Sequence, residues 1–189
     1  RSLVGSEMCI RDSNQATGLL PRIADVQETI TPIEGSWNVY FDPRWGGPGK
    51  VVFDELIDWT VHADTGIRYY SGTVVYHKEL NLAMPAQNER LLLRFPRLGS
   101  LARVWVNGKE VVTVWCSPWE ADITSYVHEG KNNLKIEVVN SLMNRMIGDA
   151  SLPESERFTY AYPQIATPTD KLVPSGIMEQ LNLVYRQCQ

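Results

Sequence analysis

Residues Ala102–Asn140, ARVWVNGKEVVTVWCSPWEADITSYVHEGKNNLKIEVVN, decide the fold of this chain. Two apolar, β-branched runs meet at Asn107-Gly108, the pair that supplies φ > 0 most cheaply at both centres of a type I′ hairpin turn. The return strand ends in Trp115-Cys116-Ser117-Pro118-Trp119. After Asp122-Ile123-Thr124, a second turn is expected at Glu129-Gly130-Lys131-Asn132. Leu134-Lys135-Ile136-Glu137-Val138 then alternates apolar and charged residues at period two, the pattern of a strand with one buried face.

Similar runs lie on both sides. Gly35–Phe41 (GSWNVYF) predicts a strand with Trp37, Val39 and Phe41 on one face. Asp42–Lys50 (DPRWGGPGK) predicts a loop, because its prolines and glycines cannot sustain a ladder. Val51–Phe53 is short and apolar, and Asp54–Ser71 is a long connection. Thr73–Leu82 and Arg90–Phe95 read as strands, with the turn between them at Pro85 and Asn88. Ser141–Pro174 is Pro-punctuated and irregular apart from a helical turn near Pro153–Arg157. Gly176–Arg186 predicts a closing strand with Ile177, Leu181, Leu183 and Tyr185 on one face. Many short strands, without an amphipathic helix of useful length, predict an all-β sandwich.

The 189 residues suit one domain with a sizeable core. Eighteen basic and 22 acidic residues give a net charge of −4 without long blocks of one sign. No basic stripe marks a nucleic-acid partner. No run reaches the ~18 apolar residues of a membrane-spanning helix, so no membrane partner is expected. Six Trp and eight Tyr against four Phe favour rings with a polar handle. Such rings pack cores and also stack on sugar faces. Cys9, Cys116 and Cys188 are too few and too scattered for a disulfide framework or a zinc site, and read as inert structural thiols.

Arg1–Ser13 (RSLVGSEMCIRDS) has no clear period and is similar to translated sequencing-adapter sequence, so it is set aside from fold reasoning. On that reading the natural gene extends upstream, and the lack of a signal peptide says nothing about export. Residues 14–33, bounded by Pro21 and Pro32, read as a linker, and 34–187 as the domain.

Several ordered blocks carry a family resemblance: GSWNVYFDPRWGGPGKVVFDELIDWT, GIRYYSGTVVYHKEL, LARVWVNGKEV, NSLMNRMIGDASLPESERFTY and VPSGIMEQLNLV. From about Gly35 to Val184 the chain resembles the C-terminal jelly-roll β-sandwich, galactose-binding-domain-like, of α-L-rhamnosidases. More broadly, it is similar to the sugar-binding domain of β-galactosidase-type enzymes. One departure stands at Met178-Glu179-Gln180, where a small Gly-Pro-containing turn is expected. The resemblance implies an accessory domain of a bacterial glycoside hydrolase, attached to a catalytic barrel and exported outside the cell or to the periplasm. Its partners are then carbohydrate and the catalytic domain of the same parent chain. The alternatives are a free-standing carbohydrate-binding module or lectin, and a purely structural sandwich.

Sugar recognition needs a flat ring against a C–H face and side chains that donate and accept around hydroxyls. Three loops and one strand exit supply such groups: Arg44 and Trp45; Asp58, Trp59, Arg68, Tyr69 and Tyr70; Trp119; and Asn144 with Arg145. Each has a plainer use. Trp37 and Trp105 lie within strands and are expected in the core. A loop ring such as Trp45, Trp59 or Trp119 can plug a sandwich end. Asn140, Asn144 and Arg145 can satisfy loop backbone or pair with Asp149. His62, His77 and His128 show no ligand spacing.

No catalytic residue is assigned. Glycoside hydrolysis uses two carboxyl groups about 5–5.5 Å or about 6.5–9.5 Å apart, and closeness in sequence among Asp54, Glu55, Asp58 and Asp64 does not establish that separation. These four acids leave a structural calcium open, although calcium needs six to eight oxygen ligands and no EF-type loop is present. No other cofactor is expected.

Overall fold

Period-two alternation governs the structure, a computed structural model that describes residues 27–161 and 165–187. Its strands are β1 (Glu28–Pro32), β2 (Trp37–Phe41), β3 (Gly49–Phe53), β4 (Thr73–Leu82), β5 (Glu89–Arg94), β6 (Leu98–Gly99), β7 (Leu101–Val106), β8 (Lys109–Val114), β9 (Glu120–Asp122), β10 (Gly130–Val139), β11 (Gly176–Ile177) and β12 (Asn182–Gln187). Two short helices, α1 (Thr65–Arg68) and α2 (Met143–Asp149), lie in the connections. Six strands form one antiparallel sheet in the order β3-β2-β4-β10-β7-β8, and four form a second in the order β1-β12-β5-β9. The short pair β6 and β11 makes a third ladder. This is a jelly-roll β-sandwich. No helix among the described residues is long and apolar enough to cross a membrane.

The core lies between the two larger sheets. Val39, Phe41, Val74, Tyr76, Val104 and Ile136 enter it from the six-stranded sheet, and Leu91, Leu93, Ala121 and Leu183 from the other. Each large apolar side chain so buried contributes roughly 1.5–3 kcal/mol. At one end of the sandwich the long connection between β3 and β4 folds inward as a plug. Phe41 meets Trp59 and Tyr70 edge-on, at centroid distances of 5.4 and 5.1 Å. The Trp59 indole donates to the Tyr76 hydroxyl at 2.7 Å, so its buried N–H is satisfied.

The hairpin at Asn107-Gly108 forms as expected, with φ of 52° and 78° at its two central residues. Other segments differ from the sequence reading. Trp105 is outside the core, because Ala102, Val104 and Val106 occupy the inner face of β7 and alternation turns Trp105 outward. There the Lys135 ammonium lies 3.8 Å from its ring centroid. The expected turn at Gly130-Lys131-Asn132 is already strand, paired with Asn81 and its neighbours in β4. Residues 28–32 are not linker: they form edge strand β1 on β12, and Pro32 is tolerated at its end because an edge strand can spare a donor. The remainder of the linker reading and the adapter-like segment lie outside the described residues. The closing strand is broken into β11 and β12, and Gln180 Nε2 ties the intervening turn to the Ile33 carbonyl at 2.9 Å. Cys116, read as an inert structural thiol, is exposed, whereas Cys9 and Cys188 lie outside the described residues.

Candidate functional site

Three aspartates build the loops at the plugged end. Asp42 caps a 3-10 turn at Pro43–Trp45, accepting the Arg44 amide at 2.9 Å. Asp58 caps a second at Trp59–Val61, accepting the Thr60 amide at 3.0 Å, and Asp64 caps α1 through the Gly66 amide at 2.7 Å. Asp side chains serve this role because a short carboxylate reaches the orphan amides of a first turn. Two of the acids that left calcium open therefore act as caps. Among the described residues no three His, Cys, Asp or Glu side chains converge as a metal site.

The fourth wall is α2. Its fully buried Asn144 exchanges hydrogen bonds with the Val173 backbone at 2.8 Å and donates to Ser175 Oγ at 3.1 Å. Asn140 accepts the Gly72 amide at 2.9 Å and donates to the Tyr70 carbonyl at 2.9 Å. These amides lock the connection after β10 onto the plug. On the same short helix, Arg145 and Asp149 stand one turn apart and are 5% and 2% exposed. Nε of Arg145 faces Oδ1 of Asp149 at 3.2 Å, an ion-pair distance without hydrogen-bond alignment. The other carboxylate oxygen accepts the amides of Phe158 and Thr159 at 3.0 and 2.7 Å and the Thr159 hydroxyl at 2.7 Å. Asp149 thereby holds the Phe158 segment over the guanidinium, whose centre is 5.0 Å from the Phe158 ring centroid. Burial pulls the Arg145 pKa down from its ordinary value while Asp149 opposes the shift; the group stays protonated.

In front of this pair lies a hollow of about 310 Å³ lined by Gly46, Thr65, Gly66, Tyr69, Arg145, Gly148, Ser151, Leu152 and Phe158. Tyr69, Phe158, Thr65, Ser151 and Arg145 are thus among the residues that line one space of monosaccharide size. Larger hollows, of about 580 and 480 Å³, lie on the outward face of the six-stranded sheet beside Tyr40, Val52, His77 and Trp105, and another of about 440 Å³ lies beside Trp37, Asp54, Glu55 and Gln180. They lack a buried, unpaired polar group among the described residues, and Lys135 covers the Trp105 ring. The Arg145 hollow is the candidate site.

The family model for "Glycosyl hydrolases family 2, sugar binding domain" matches residues 23–186. The chain belongs to this sugar-binding family. Among solved structures, a rhamnosidase from Novosphingobium sp. PP1Y superposes with a TM-score of 0.79 at 30% identity, over 84% of this chain and 15% of that one. A beta-glucuronidase from Ruminococcus gnavus shares the fold, with a TM-score of 0.60 at 22% identity, over 84% of this chain and 28% of that one. A curated relative from Formosa agariphila, assigned as a beta-glucuronidase, is 38% identical over 123 residues, 64% of this chain and 11% of its own length. The chain thus spans a small part of each of these relatives.

Within this sugar-binding domain, the ten side chains singled out from the sequence separate. Tyr69 and Arg145 line the hollow, and Arg44 and Trp45 precede Gly46 at its edge. Trp45 is 47% exposed, and the exposed Arg44 is held by Asp42 at 2.6 Å. Arg68 donates to the His62 carbonyl at 2.9 Å and braces the same loop. Trp59, Tyr70 and Asn144 are wholly buried in structural roles, and Asp58 is a cap. Trp119 belongs to another neighbourhood: it precedes β9 at the edge of the four-stranded sheet and packs against the core. Sequence reasoning did not single out Gly46, Gly148 or Phe158 for this site. The Arg145…Asp149 spacing of one helical turn was the available signal for their surroundings.

Proposed function

We infer that this domain is the accessory β-sandwich of a larger, rhamnosidase-like glycoside hydrolase, and that it binds carbohydrate in the Arg145 hollow while the catalytic acids reside elsewhere in the parent chain. The hollow itself carries the reading. Tyr69 and Phe158 offer rings for a C–H face, Thr65 and Ser151 offer hydroxyls, and Arg145 offers donors, all at the loop end of a sugar-binding fold. The rhamnosidase affinity is supported by the higher structural similarity to the Novosphingobium protein, a TM-score of 0.79 against 0.60, while the 38% identity to the Formosa relative favours a glucuronidase. The catalytic domain of the parent chain is the second partner, because the relatives are several times longer than this domain.

Calorimetric titration of the 189-residue chain with a panel of mono- and oligosaccharides, beside an aryl-rhamnoside hydrolysis assay, tests this. Binding without turnover is expected. Turnover of an aryl glycoside by the chain alone overturns the accessory role, and failure of every saccharide to bind overturns the carbohydrate site.

A further inference from the structure

Among the described residues, the buried side-chain polar atoms without a hydrogen-bond partner are Arg145 Nε and Asp149 Oδ1. Arg145 is 5% exposed; its Nε faces the Asp149 carboxylate at 3.2 Å, and its guanidinium centre lies 5.0 Å from the Phe158 ring centroid. Neither Nη1 nor Nη2 has a hydrogen-bond acceptor among the described residues, and of the three nitrogens only Nε is fully buried without an aligned acceptor. Nη1 and Nη2 are not among the buried atoms without a partner, so they keep contact with solvent, and that edge is open to an acceptor from outside. The surroundings keep that edge clear. A Cβ at Gly46 would stand 2.8 Å from Nη1, and one at Gly148 would stand 2.8 Å from Nη2. The same added atoms would stand 2.9 Å from the Phe158 ring and 2.7 Å from Tyr69 Cγ, so glycine at both positions lets the rings and the guanidinium pack together.

We propose that this hollow is a subsite for an acidic sugar, with the Nη1–Nη2 edge of Arg145 receiving the carboxylate of a uronic acid residue. The proposal rests on the carbohydrate reading above and narrows it. A guanidinium edge presents two parallel N–H groups at the spacing of two carboxylate oxygens, the geometry that favours Arg over Lys at such sites. The space around it fits a sugar better than a bare carboxylate. About 310 Å³ exceeds what an acetate or an Asp side chain fills, and Tyr69 and Phe158 flank the position of the ring while Thr65 and Ser151 reach its hydroxyls. With a net charge of −4, attraction for an anion here is local to Arg145. The bond specificity of the parent enzyme is a separate matter, because this subsite need not hold the residue that is cleaved.

The test is calorimetry of the 189-residue chain with glucuronate, methyl glucoside and acetate, repeated on two variants. Arg145→Lys keeps the charge and removes the planar fork. Thr65→Glu places a carboxylate at the exposed rim, where the Thr65 side chain makes no hydrogen bond among the described residues, so it leaves folding intact. Glucuronate is expected to bind at least ~10-fold more tightly than methyl glucoside or acetate, and each variant to lose ~10-fold or more of that affinity. Equal binding of glucuronate and methyl glucoside overturns the acid preference and leaves the carbohydrate site standing. Acetate binding as tightly as glucuronate overturns the sugar claim and points to a carboxylate side chain of the parent enzyme as occupant. No binding of any of the three overturns this proposal, while the carbohydrate site falls only if the wider saccharide panel also fails to bind. Undiminished glucuronate affinity in folded Thr65→Glu also refutes the assignment.

Discussion

Two adjacent residues at the β7–β8 turn make a quantitative test, because the structure gives them unequal duties. Asn107 and Gly108 both hold positive φ, so valine at either site introduces strain of about 1–2 kcal/mol. Gly108 does nothing more: an added Cβ there meets no atom within 4 Å. Asn107 does much more. Its amide donates to the Tyr126 carbonyl at 2.9 Å and to Asn132 Oδ1 at 2.8 Å, and its oxygen accepts the Asn133 amide at 2.9 Å. Three such bonds contribute about 1 kcal/mol each net. Asn107→Val should therefore cost about 4 kcal/mol and Gly108→Val about 1–2. Asn107→Gly isolates the hydrogen bonds by removing the strain, and should cost about 3 kcal/mol. Urea unfolding followed by tryptophan fluorescence measures all three. A Gly108→Val cost equal to or above that of Asn107→Val would refute the reasoning, since the turn would then act through backbone shape alone.

Further perturbations address the rest of the frame. Gly176→Ala should destabilise by about 3 kcal/mol in thermal melts, because φ is 95° and the new Cβ would stand 2.6 Å from Trp59 Cε2. Trp119→Ala should cost about 2 kcal/mol because the ring packs against the core, and should leave saccharide binding unchanged. The ion-pair network of Glu28, Arg94, Glu120 and Arg186 spans all four strands of the smaller sheet, with contacts of 2.6–3.0 Å. The hydrogen bond from Arg94 holds the Glu28 carboxyl below its ordinary value, partial burial opposes it and Arg186 adds to it. A depressed folded pKa gives stability that is complete above the unfolded value, near 4.5, and is lost as pH falls through the lower folded value. Glu28→Gln should accordingly cost about 1 kcal/mol at pH 7 and less below pH ~4, read from urea midpoints across that range.

The sandwich was legible wherever alternation met β-branched residues. Thr73–Leu82 forms a strand with the bounds read from its sequence, and Trp37, Val39 and Phe41 share the buried face of β2 as expected. Where alternation competed with a large ring, the ring misled: Trp105 looked like core because it is apolar, yet the smaller Ala102, Val104 and Val106 hold the inner face. Helix α2 escaped notice because it has seven residues, no side-chain cap and a glycine within it. Of the candidate site, Tyr69 and Arg145 were readable as chemistry-bearing residues. The contributions of Gly46 and Gly148 were not, because a glycine that clears space beside a guanidinium has no signature until the chain is folded. Phe158 likewise depends on a distant backbone contact, the two amides gathered by Asp149.

The central claim, that the loop end of the sandwich is the saccharide site, can be mapped residue by residue. Amide 1H–15N spectra of the labelled chain would be recorded during titration with glucuronate and, in parallel, methyl rhamnoside. The account predicts that the Gly46, Gly66 and Gly148 amides and the Arg145 Nε–H shift together along one binding curve, while Asn38, Tyr40, Val52 and His77 on the outer sheet face stay still. Shifts confined to that sheet face, or none with either sugar, would contradict it.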